Sequence, residues 1–378
     1  MEPRRYAGNS HWYHETQASY RAGQAPPLYP EAADVEDRFL LGLQQNGDEL
    51  TPLFKRFAPT LQAGQRLSLL LLPHAVTTTL TQTLTLYDRL SSALTVAQVT
   101  GVQRLCNHYA ARLNPLPGPD SSRESNNRLT QMTQFARQLA SSPAVIDAAA
   151  LRRLDDVGLT TPDIISLGQI IGFVSYQARV VSGIQALLRL PVRWLPGLNN
   201  MTDAEAQRFS AQPKLPARLP LLERRYASDR QLMVIDKAGG NVDLAEIVWL
   251  LAWDTAALEA RNTLQTTLPA ASTEEKLAQA VAARINGSQP CLDRYDGPWQ
   301  SALRQSIDAA LSASHRQPRL QAIITFAAQL TRTPDRLSAA QIQPLLDLGL
   351  TQAEIFSLIQ SVALAGWNNR LMQTLLGD

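Results

Sequence analysis

One stretch of this sequence occurs twice. Residues 128–184 read RLTQMTQFARQLASSPAVIDAAALRRLDDVGLTTPDIISLGQIIGFVSYQARVVSGI, and residues 319–375 read RLQAIITFAAQLTRTPDRLSAAQIQPLLDLGLTQAEIFSLIQSVALAGWNNRLMQTL. They align without a gap, and roughly a third of the aligned positions are identical, which is the self-similarity of a duplicated unit. The matches include Phe135 with Phe326, Pro143 with Pro334, Gly158 with Gly349 and Arg179 with Arg370. The period is far too long for a solenoid, so it indicates two copies of one domain.

Each copy has the pattern of three helices. Apolar residues recur at helical spacing in residues 129–139 and 320–330, which predicts the first helix. The second helix ends at a glycine, which is the usual helix stop. The third helix begins after Thr160 or Thr351, each followed three residues later by an acidic residue, which is a weak capping box.

The third helix of each copy is long and apolar on most of its sides, in residues 164–188 and 355–376. A helix of this kind is buried in a core or in an interface. Ala, Leu and Gln also dominate over Val, Ile and Tyr, a bias that favours helix. We therefore expect an all-α protein of two related domains packed about a pseudo-two-fold axis, with further contacts in a homo-oligomer.

The repeat and the composition divide the chain into four segments. We expect an N-terminal arm in residues 1–45, a first, degenerate domain in residues 46–190, a Pro-rich connector in residues 191–227 and a second domain in residues 228–378. The arm contains HWYHE, residues 11–15, whose His and Glu residues are metal-ligand types. Packing of the arm through its aromatic residues is the better interpretation, so we predict neither a metal nor a cofactor.

Composition argues against several classes of protein. The chain has 378 residues, of which 45% are apolar and 18% charged, and its net charge is +2. The small net charge and the scattered arginines argue against a nucleic-acid surface. The N-terminus lacks the apolar segment of a signal peptide, and the longest apolar run, residues 67–76, is too short to span a membrane. We expect a cytoplasmic protein that binds neither nucleic acid nor membrane.

The chain has two cysteines, Cys106 and Cys291. Two cysteines are too few to define a disulfide framework, and the sequence does not place these two within bonding reach. Cys291 lies in INGSQPCLDRY, residues 285–295, which follows a helix with Ser272 and Glu275 as its capping box. Cys106 has no second cysteine near it, so a small buried apolar residue is the better interpretation of it.

The segment from Glu274 to Tyr295, together with the repeat that follows it, resembles the alkylhydroperoxidase D-like, carboxymuconolactone decarboxylase superfamily. That superfamily is all-α, and its peroxidase members carry a Glu on a helix, then Asn-Gly-Cys-x-x-Cys, then a His four residues after the second Cys. The resemblance covers residues 90–190 and 230–378 and is clearer in the second copy. It implies two tandem alkylhydroperoxidase D-like domains and an antioxidant, peroxidase-related oxidoreductase of thiol and peroxide metabolism. It also implies a small-molecule peroxide or thiol substrate, an external thiol reductant and a homo-oligomer.

Carried over residue by residue, the motif of that superfamily is incomplete. Ser288 stands at the first cysteine, Cys291 at the second, Tyr295 at the His and Lys276 at the Glu, with Glu275 adjacent. A serine cannot resolve a sulfenic acid as a disulfide, and tyrosine, whose ordinary pKa is about 10, is a poor base at neutral pH. A two-thiol mechanism within one copy is therefore not expected.

The resemblance leaves Cys291 a redox role of its own. If Ser288 caps the next helix, Cys291 falls in its first turn, where the helix N-terminus and Arg294 favour the thiolate. The candidate catalytic residues are then Cys291, Ser288, Tyr295 and Glu275. Two alternatives stay open: a non-catalytic binding or scaffold protein in which Cys291 is a buried apolar residue, and a non-redox enzyme like the decarboxylase branch with Glu275 as its base.

Two polar motifs interrupt the apolar third helices, SYQAR in residues 175–179 and WNNR in residues 367–370. Buried polar groups need partners. We expect the arginines to form salt bridges with a helix of the same or of a neighbouring domain, and the alternative is the polar lining of a small pocket.

Overall fold

The computed structural model of this protein describes residues 36–45, 48–192, 201–210 and 215–377. Within these ranges the regular structure is helical, and the single β contact is an isolated bridge between Ala217 and Leu376. The prediction of an all-α protein is confirmed. The HWYHE motif of the N-terminal arm lies outside the described residues.

The helices of each half lead up to one long helix. The first half contains α1 (Thr51–Arg56), α2 (Ala58–Leu71), α3 (Leu86–Thr100), α4 (Gln103–Leu113), α5 (Arg123–Ser141), α6 (Ala148–Asp155) and α7 (Thr161–Leu187). The second half contains α8 (Asp229–Gly239), α9 (Val248–Leu251), α10 (Thr255–Thr266), α11 (Thr273–Asn286), α12 (Gln289–Asp293), α13 (Gln300–Gln305), α14 (Ile307–Ala313), α15 (Pro318–Arg332), α16 (Ala339–Asp347) and α17 (Gln352–Leu375). Short 3-10 turns cover Asp48–Leu50, Pro143–Val145, Ala206–Phe209, Arg224–Tyr226, Ala252–Asp254 and Pro334–Arg336. The matched stretches therefore contain the same order of elements, a helix, a 3-10 turn, a short helix and a long helix.

The predicted start of the long helix is confirmed in both matched stretches, and the short helix before it ends two or three residues before the predicted glycine. Thr160 accepts a hydrogen bond from the backbone N–H of Asp163, and the Asp163 carboxylate accepts one from the Thr160 N–H. Thr351 and Glu354 form the same capping box at α17. The two glycines that precede these caps both have a φ of +84°, a left-handed conformation that other residues disfavour.

Helices α7 and α17 form the centre of the molecule and make its most extensive helix–helix contact. They are buried on nearly all sides, with α3 and α5 packed against α7 and with α11 and α15 packed against α17. Burial within one chain therefore accounts for their apolar surfaces, and contacts in a homo-oligomer stay a prediction. Of the described helices, α7 alone has the length and hydropathy to cross a membrane, but its apolar window is wholly covered by protein, which makes it weak evidence for a span.

Two hydrogen bonds cross between the central helices in a reciprocal manner. The Tyr176 hydroxyl on α7 donates to Gln360 Oε1 on α17 at 2.6 Å, and Trp367 Nε1 on α17 donates to Gln169 Oε1 on α7 at 3.1 Å. Tyr176 aligns with Trp367, and Gln169 aligns with Gln360, in the repeated stretch. The same pair of positions is therefore joined twice, in opposite directions.

Arg179 and Arg370 make a second reciprocal contact. Arg179 Nη2 donates to the backbone carbonyl of Thr331, and Arg370 Nη2 donates to the backbone carbonyl of Ala140, each at 2.6 Å. These carbonyls lie in the last turns of α15 and α5, where carbonyl groups lack helical partners and the helix dipole favours a cation. The salt bridges expected for the two arginines are not found among the described residues, because each arginine instead binds a helix end of the other half.

Residues 36–45, expected to belong to the N-terminal arm, pack into the core of the first half. The Phe39 ring stacks on Tyr176 with 5.6 Å between the centroids. The Gln177 side chain donates from Nε2 to the backbone carbonyls of Arg38 and Phe39. This segment is rich in apolar residues, and the core is where they are removed from water.

The described residues of the connector bind the second half at three helices. Asp203 accepts two hydrogen bonds from Arg332 of α15, at 2.7 and 2.6 Å. The Ala204 carbonyl accepts from Arg284 Nη1 of α11 at 2.6 Å. The backbone N–H of Arg218 donates to the carbonyl of Leu375 at the end of α17, at 2.9 Å.

We expect Gly172→Ala to lower the free energy of unfolding by about 2 kcal/mol, because overpacking of a dense interior is destabilising. An added Cβ would lie 2.0 Å from Cδ1 and 2.4 Å from Nε1 of the buried Trp367. Urea unfolding followed by circular dichroism measures the change. Gly168→Ala on the same helix is the matched control, since its nearest atoms lie at 3.8 Å, and it should leave stability equal or raise it. Equal stability of the two variants would contradict the close packing of α7 on α17.

Candidate functional site

Cys291 lies in a short helix that follows a sharp turn at the end of α11. Gly287 ends α11 with a φ of +78°, and a Cβ at this position would come within 2.7 Å of Ala144 and 2.9 Å of Ala204. Both the left-handed backbone and the close approach require glycine here. The turn lets α12 begin two residues later, with Cys291 as its third residue.

The Cys291 side chain lines a cavity of about 370 Å³, which we call the Cys291 cavity. Its polar lining includes Asp243, Lys276, Arg294, Tyr295, Asn368 and Asn369. Further uncharged polar groups are Gln265, Gln279 and Ser361. The apolar lining comes from Val242, residues 268–271, Ala280, Leu364 and Ala365. The volume is at the small end of the range for ligand-binding sites, which suits a small molecule.

The pKa of the Cys291 thiol is raised from its ordinary value, chiefly because the sulfur is removed from water. Arg294, Ser288 and Asn369 each act to lower this pKa, and the Asp243 carboxylate acts to raise it. Arg294 lowers the pKa of Cys291, as expected, but the removal of the sulfur from water raises it by more. At neutral pH Cys291 is therefore a neutral thiol, and a thiol reacts with peroxide far more slowly than a thiolate.

Ser288 occupies the N-cap position of α12, but its side chain makes no capping hydrogen bond. Its fully buried hydroxyl instead lies close enough to the Cys291 thiol to lower the pKa of that group. Helix α12 has five residues, so the dipole available to stabilise a thiolate is short. The cap expected from Ser288 does not form, and the serine acts on Cys291 directly.

Tyr295 shares the cavity with Cys291, and Glu275 does not. Tyr295 is largely buried, and burial raises the pKa of its phenol, which keeps it neutral at physiological pH. Glu275 Oε2 accepts from the backbone N–H of Ser272 at 2.7 Å, completes the capping box of α11 and lines a separate cavity. The next residue, Lys276, points to a different face of α11 and lines the Cys291 cavity.

The WNNR motif supplies part of the polar lining, as the alternative interpretation of that motif proposed. Asn369 Oδ1 accepts from Asn286 Nδ2 at 3.0 Å. The Nδ2 of Asn369 is fully buried and has no hydrogen-bond partner at ordinary distance among the described residues. Asn368 Oδ1 accepts from Arg261, whose guanidinium lies 4.7 Å from the centre of the Trp367 ring.

Asp243 is a cavity residue that the sequence pattern did not indicate. Arg294 Nη1 lies 3.3 Å from Asp243 Oδ1, and Arg294 Nη2 lies 3.2 Å from Glu246 Oε1. Gln265 Nε2 also donates to Asp243. Arg294 and Gln265 are distant in the chain from the turn that carries Asp243 and Glu246, so these groups meet only through the tertiary fold.

Cys106 lies apart from the Cys291 cavity, and both cysteines are free. Burial raises the pKa of Cys106 to about 12, in keeping with its interpretation as a small apolar residue. In the ranges that the structure describes, no group of three His, Cys, Asp or Glu side chains is arranged to hold a metal ion.

We expect Cys291 to react with iodoacetamide more slowly at pH 7 than a small free thiol, because the reaction needs the thiolate and the pKa of Cys291 is raised. The rate should increase as the pH rises beyond 9.0, the ordinary value. Arg294→Ala should slow the reaction further, since it removes the charge that lowers this pKa, and Arg316→Ala on the exposed surface should not. Mass spectrometry of the Cys291 peptide across pH gives the rates. A Cys291 pKa below 9.0 would contradict the dominance of desolvation.

We expect Glu275→Ala to lower the free energy of unfolding by about 1 kcal/mol, because the capping box of α11 is lost. The alkylation rate of Cys291 should stay the same, since this carboxylate lines another cavity. Glu275→Gln keeps the cap and is the matched control. Thermal unfolding measures the stability of each variant, and alkylation measures the reactivity of Cys291. A changed alkylation rate in both variants would contradict the separation of Glu275 from the thiol.

Comparison of the chain with models of known families, with curated proteins and with solved structures gives no significant match. The resemblance to the alkylhydroperoxidase D-like, carboxymuconolactone decarboxylase superfamily therefore stays a proposal.

Proposed function

We propose that this chain binds a small molecule in the Cys291 cavity and that it has the alkylhydroperoxidase D-like fold without a two-thiol redox cycle. The observation that carries the proposal is the cavity itself. It presents one thiol, neutral at physiological pH, together with amide and charged groups, and Cys106 is not part of it.

The lack of a resolving partner supports binding over peroxidase chemistry. A two-cysteine peroxidase needs a thiolate to attack the peroxide and a second thiol to form the disulfide. Ser288 stands beside Cys291 where that second thiol would be needed, and the chain has two cysteines in all. Tyr295, at the position of the His in the resemblance, is a buried neutral phenol rather than a proton acceptor.

The proposed fold family is supported by the way the matched stretches contact each other. The hydrogen bonds of Tyr176 and Trp367 are reciprocal, and so are those of Arg179 and Arg370. Two copies of a helical domain, joined by the connector, account for this reciprocity. Lys276 also lines the cavity, as the residue that aligns with the Glu of the family motif should.

A second candidate function is a single-cysteine, peroxidase-related oxidoreductase that uses an external thiol as its reductant. It is favoured by the fact that Arg294, Ser288 and Asn369 all act to lower the pKa of Cys291. In this case hydrogen peroxide oxidises the Cys291 thiolate to a sulfenic acid and is reduced to water. A first external thiol then forms a mixed disulfide with release of water, and a second restores the cysteine by thiol–disulfide exchange.

The experiment that separates the two functions is the reaction of the native protein with hydrogen peroxide at several pH values. Sulfenic acid is trapped with dimedone and located by mass spectrometry, with Cys106 as the internal reference. We expect Cys291 to remain reduced at neutral pH for as long as a small free thiol does, or longer. Ser288→Ala, which removes a group that lowers the pKa, should slow any oxidation further.

Oxidation of Cys291 much faster than that of a free thiol would overturn the binding proposal in favour of the oxidoreductase. The binding proposal has a second, independent readout, which is protection of Cys291 from iodoacetamide in the native protein. A panel of small acids, amides, amines and thiols is tested, and failure of every class to protect would contradict it.

A further inference from the structure

We propose that the molecule bound in the Cys291 cavity is a small organic acid, with one anionic oxygen-bearing group and an apolar body. This inference rests on the proposed binding function and adds the chemical class of the ligand. It follows from the hydrogen-bonding groups, the charges and the apolar surface that face the cavity.

The lining of the cavity includes a buried side-chain amide N–H donor that has no nitrogen or oxygen acceptor among the described residues. Asn369 is fully buried, and its Oδ1 is occupied by Asn286 Nδ2 at 3.0 Å. Its Nδ2 has no nitrogen or oxygen acceptor among the described residues. The group near it is the Cys291 sulfur, which is only a weak acceptor as a neutral thiol. A buried donor without an acceptor is costly, and a ligand oxygen at this position would remove that cost.

The cavity is also lined by an exposed lysine that takes no part in the neighbouring ion pairs. Lys276 is exposed and lines the cavity from α11. In the described part of the chain, Glu274 pairs with Arg319 and Asp243 pairs with Arg294. The adjacent Glu275 carboxylate accepts from the backbone N–H of Ser272 in the capping box. The ammonium group is therefore available to an anion that enters the cavity.

The charges around the cavity sum to a positive value. The cations are Lys276 and Arg294 in the lining and Arg261 directly behind it, bonded to Asn368. The carboxylates are Asp243 in the lining and Glu246 on the far side of Arg294. Three cations against two carboxylates leave a place for one negative charge, and a partly enclosed site strengthens such pairing relative to water.

The apolar part of the lining indicates what kind of ligand body the cavity can accommodate. Leu268, Pro269, Ala270 and Ala271 form one apolar wall, and Leu364 of α17 contributes another. These groups favour the burial of aliphatic or aromatic carbon, and the other polar lining residues, Gln265, Gln279 and Ser361, carry no charge. An acid with a short apolar chain or a single ring fits this combination.

The test uses three probes of one shape and different charge: hexanoate, hexanamide and hexylamine. Protection of Cys291 from iodoacetamide is measured by mass spectrometry on the full-length protein, with Cys106 as the reference and at constant ionic strength. We expect hexanoate to give half-protection at about 1 mM, the scale for a ligand of this size. Hexanamide should protect several-fold less well, and hexylamine should not protect.

The variant that tests the charge is Lys276→Glu, which alters an exposed side chain and leaves the core intact. We expect it to raise the hexanoate concentration for half-protection about tenfold and to leave that for hexanamide unchanged. Lys237→Glu, an exposed lysine of α8 outside the cavity, is the matched control and should behave as the native protein.

Equal protection by hexanamide and hexanoate, with no effect of Lys276→Glu, would overturn the organic-acid inference while the binding function stands. Protection by hexylamine alone would overturn it as well, and would show that Asp243 dominates the cavity. Rapid oxidation of Cys291 by hydrogen peroxide would instead overturn the binding function, and this measurement does not depend on the probes.

Discussion

The rest of the structure depends on the packing of α7 against α17. Both helices are buried almost all round, so their polar groups must be satisfied across the contact. Arg179 and Arg370 find hydrogen-bond acceptors that are not carboxylates. Each donates to a backbone carbonyl at the end of a helix in the other half. Burial lowers the pKa of Arg179 to about 10, which still leaves the guanidinium charged at neutral pH. The negative end of a helix dipole favours a cation at each of these positions, and the reciprocal hydrogen bonds join the two halves.

This central contact also positions the candidate site. Trp367 donates to α7 through its indole N–H and carries Arg261 over its ring. The next two residues along α17, Asn368 and Asn369, line the Cys291 cavity. The helix that joins the halves thus also forms part of the cavity wall. A shift of α17 against α7 would move the unpartnered amide of Asn369 relative to the thiol.

Two opposing effects set the pKa of Cys291: burial of the sulfur raises it, and nearby polar and charged groups lower it. Arg294, Ser288 and Asn369 all favour the thiolate of Cys291, as a reactive cysteine requires. Removal of the sulfur from water and the presence of Asp243 oppose them, and the pKa is raised. Arg294 lowers this pKa although its guanidinium also pairs with Asp243 and Glu246. In the proposed binding function, the same cavity presents Lys276 and Asn369 to a ligand.

The sequence by itself determined the helical class and the starts of the two long helices, because these depend on local spacing. Apolar periodicity, the caps at Thr160 and Thr351 and the glycines before them act within a few residues along the chain. It also indicated Cys291, Ser288 and Tyr295 as candidate site residues, since they lie within one short segment of the chain. Only the tertiary structure decided the partners of Arg179 and Arg370, the separation of Glu275 from the cavity and the presence of Asp243 in it. These depend on which distant helices meet and on how much water the contact removes, and neither quantity is encoded in the spacing of residues along the chain.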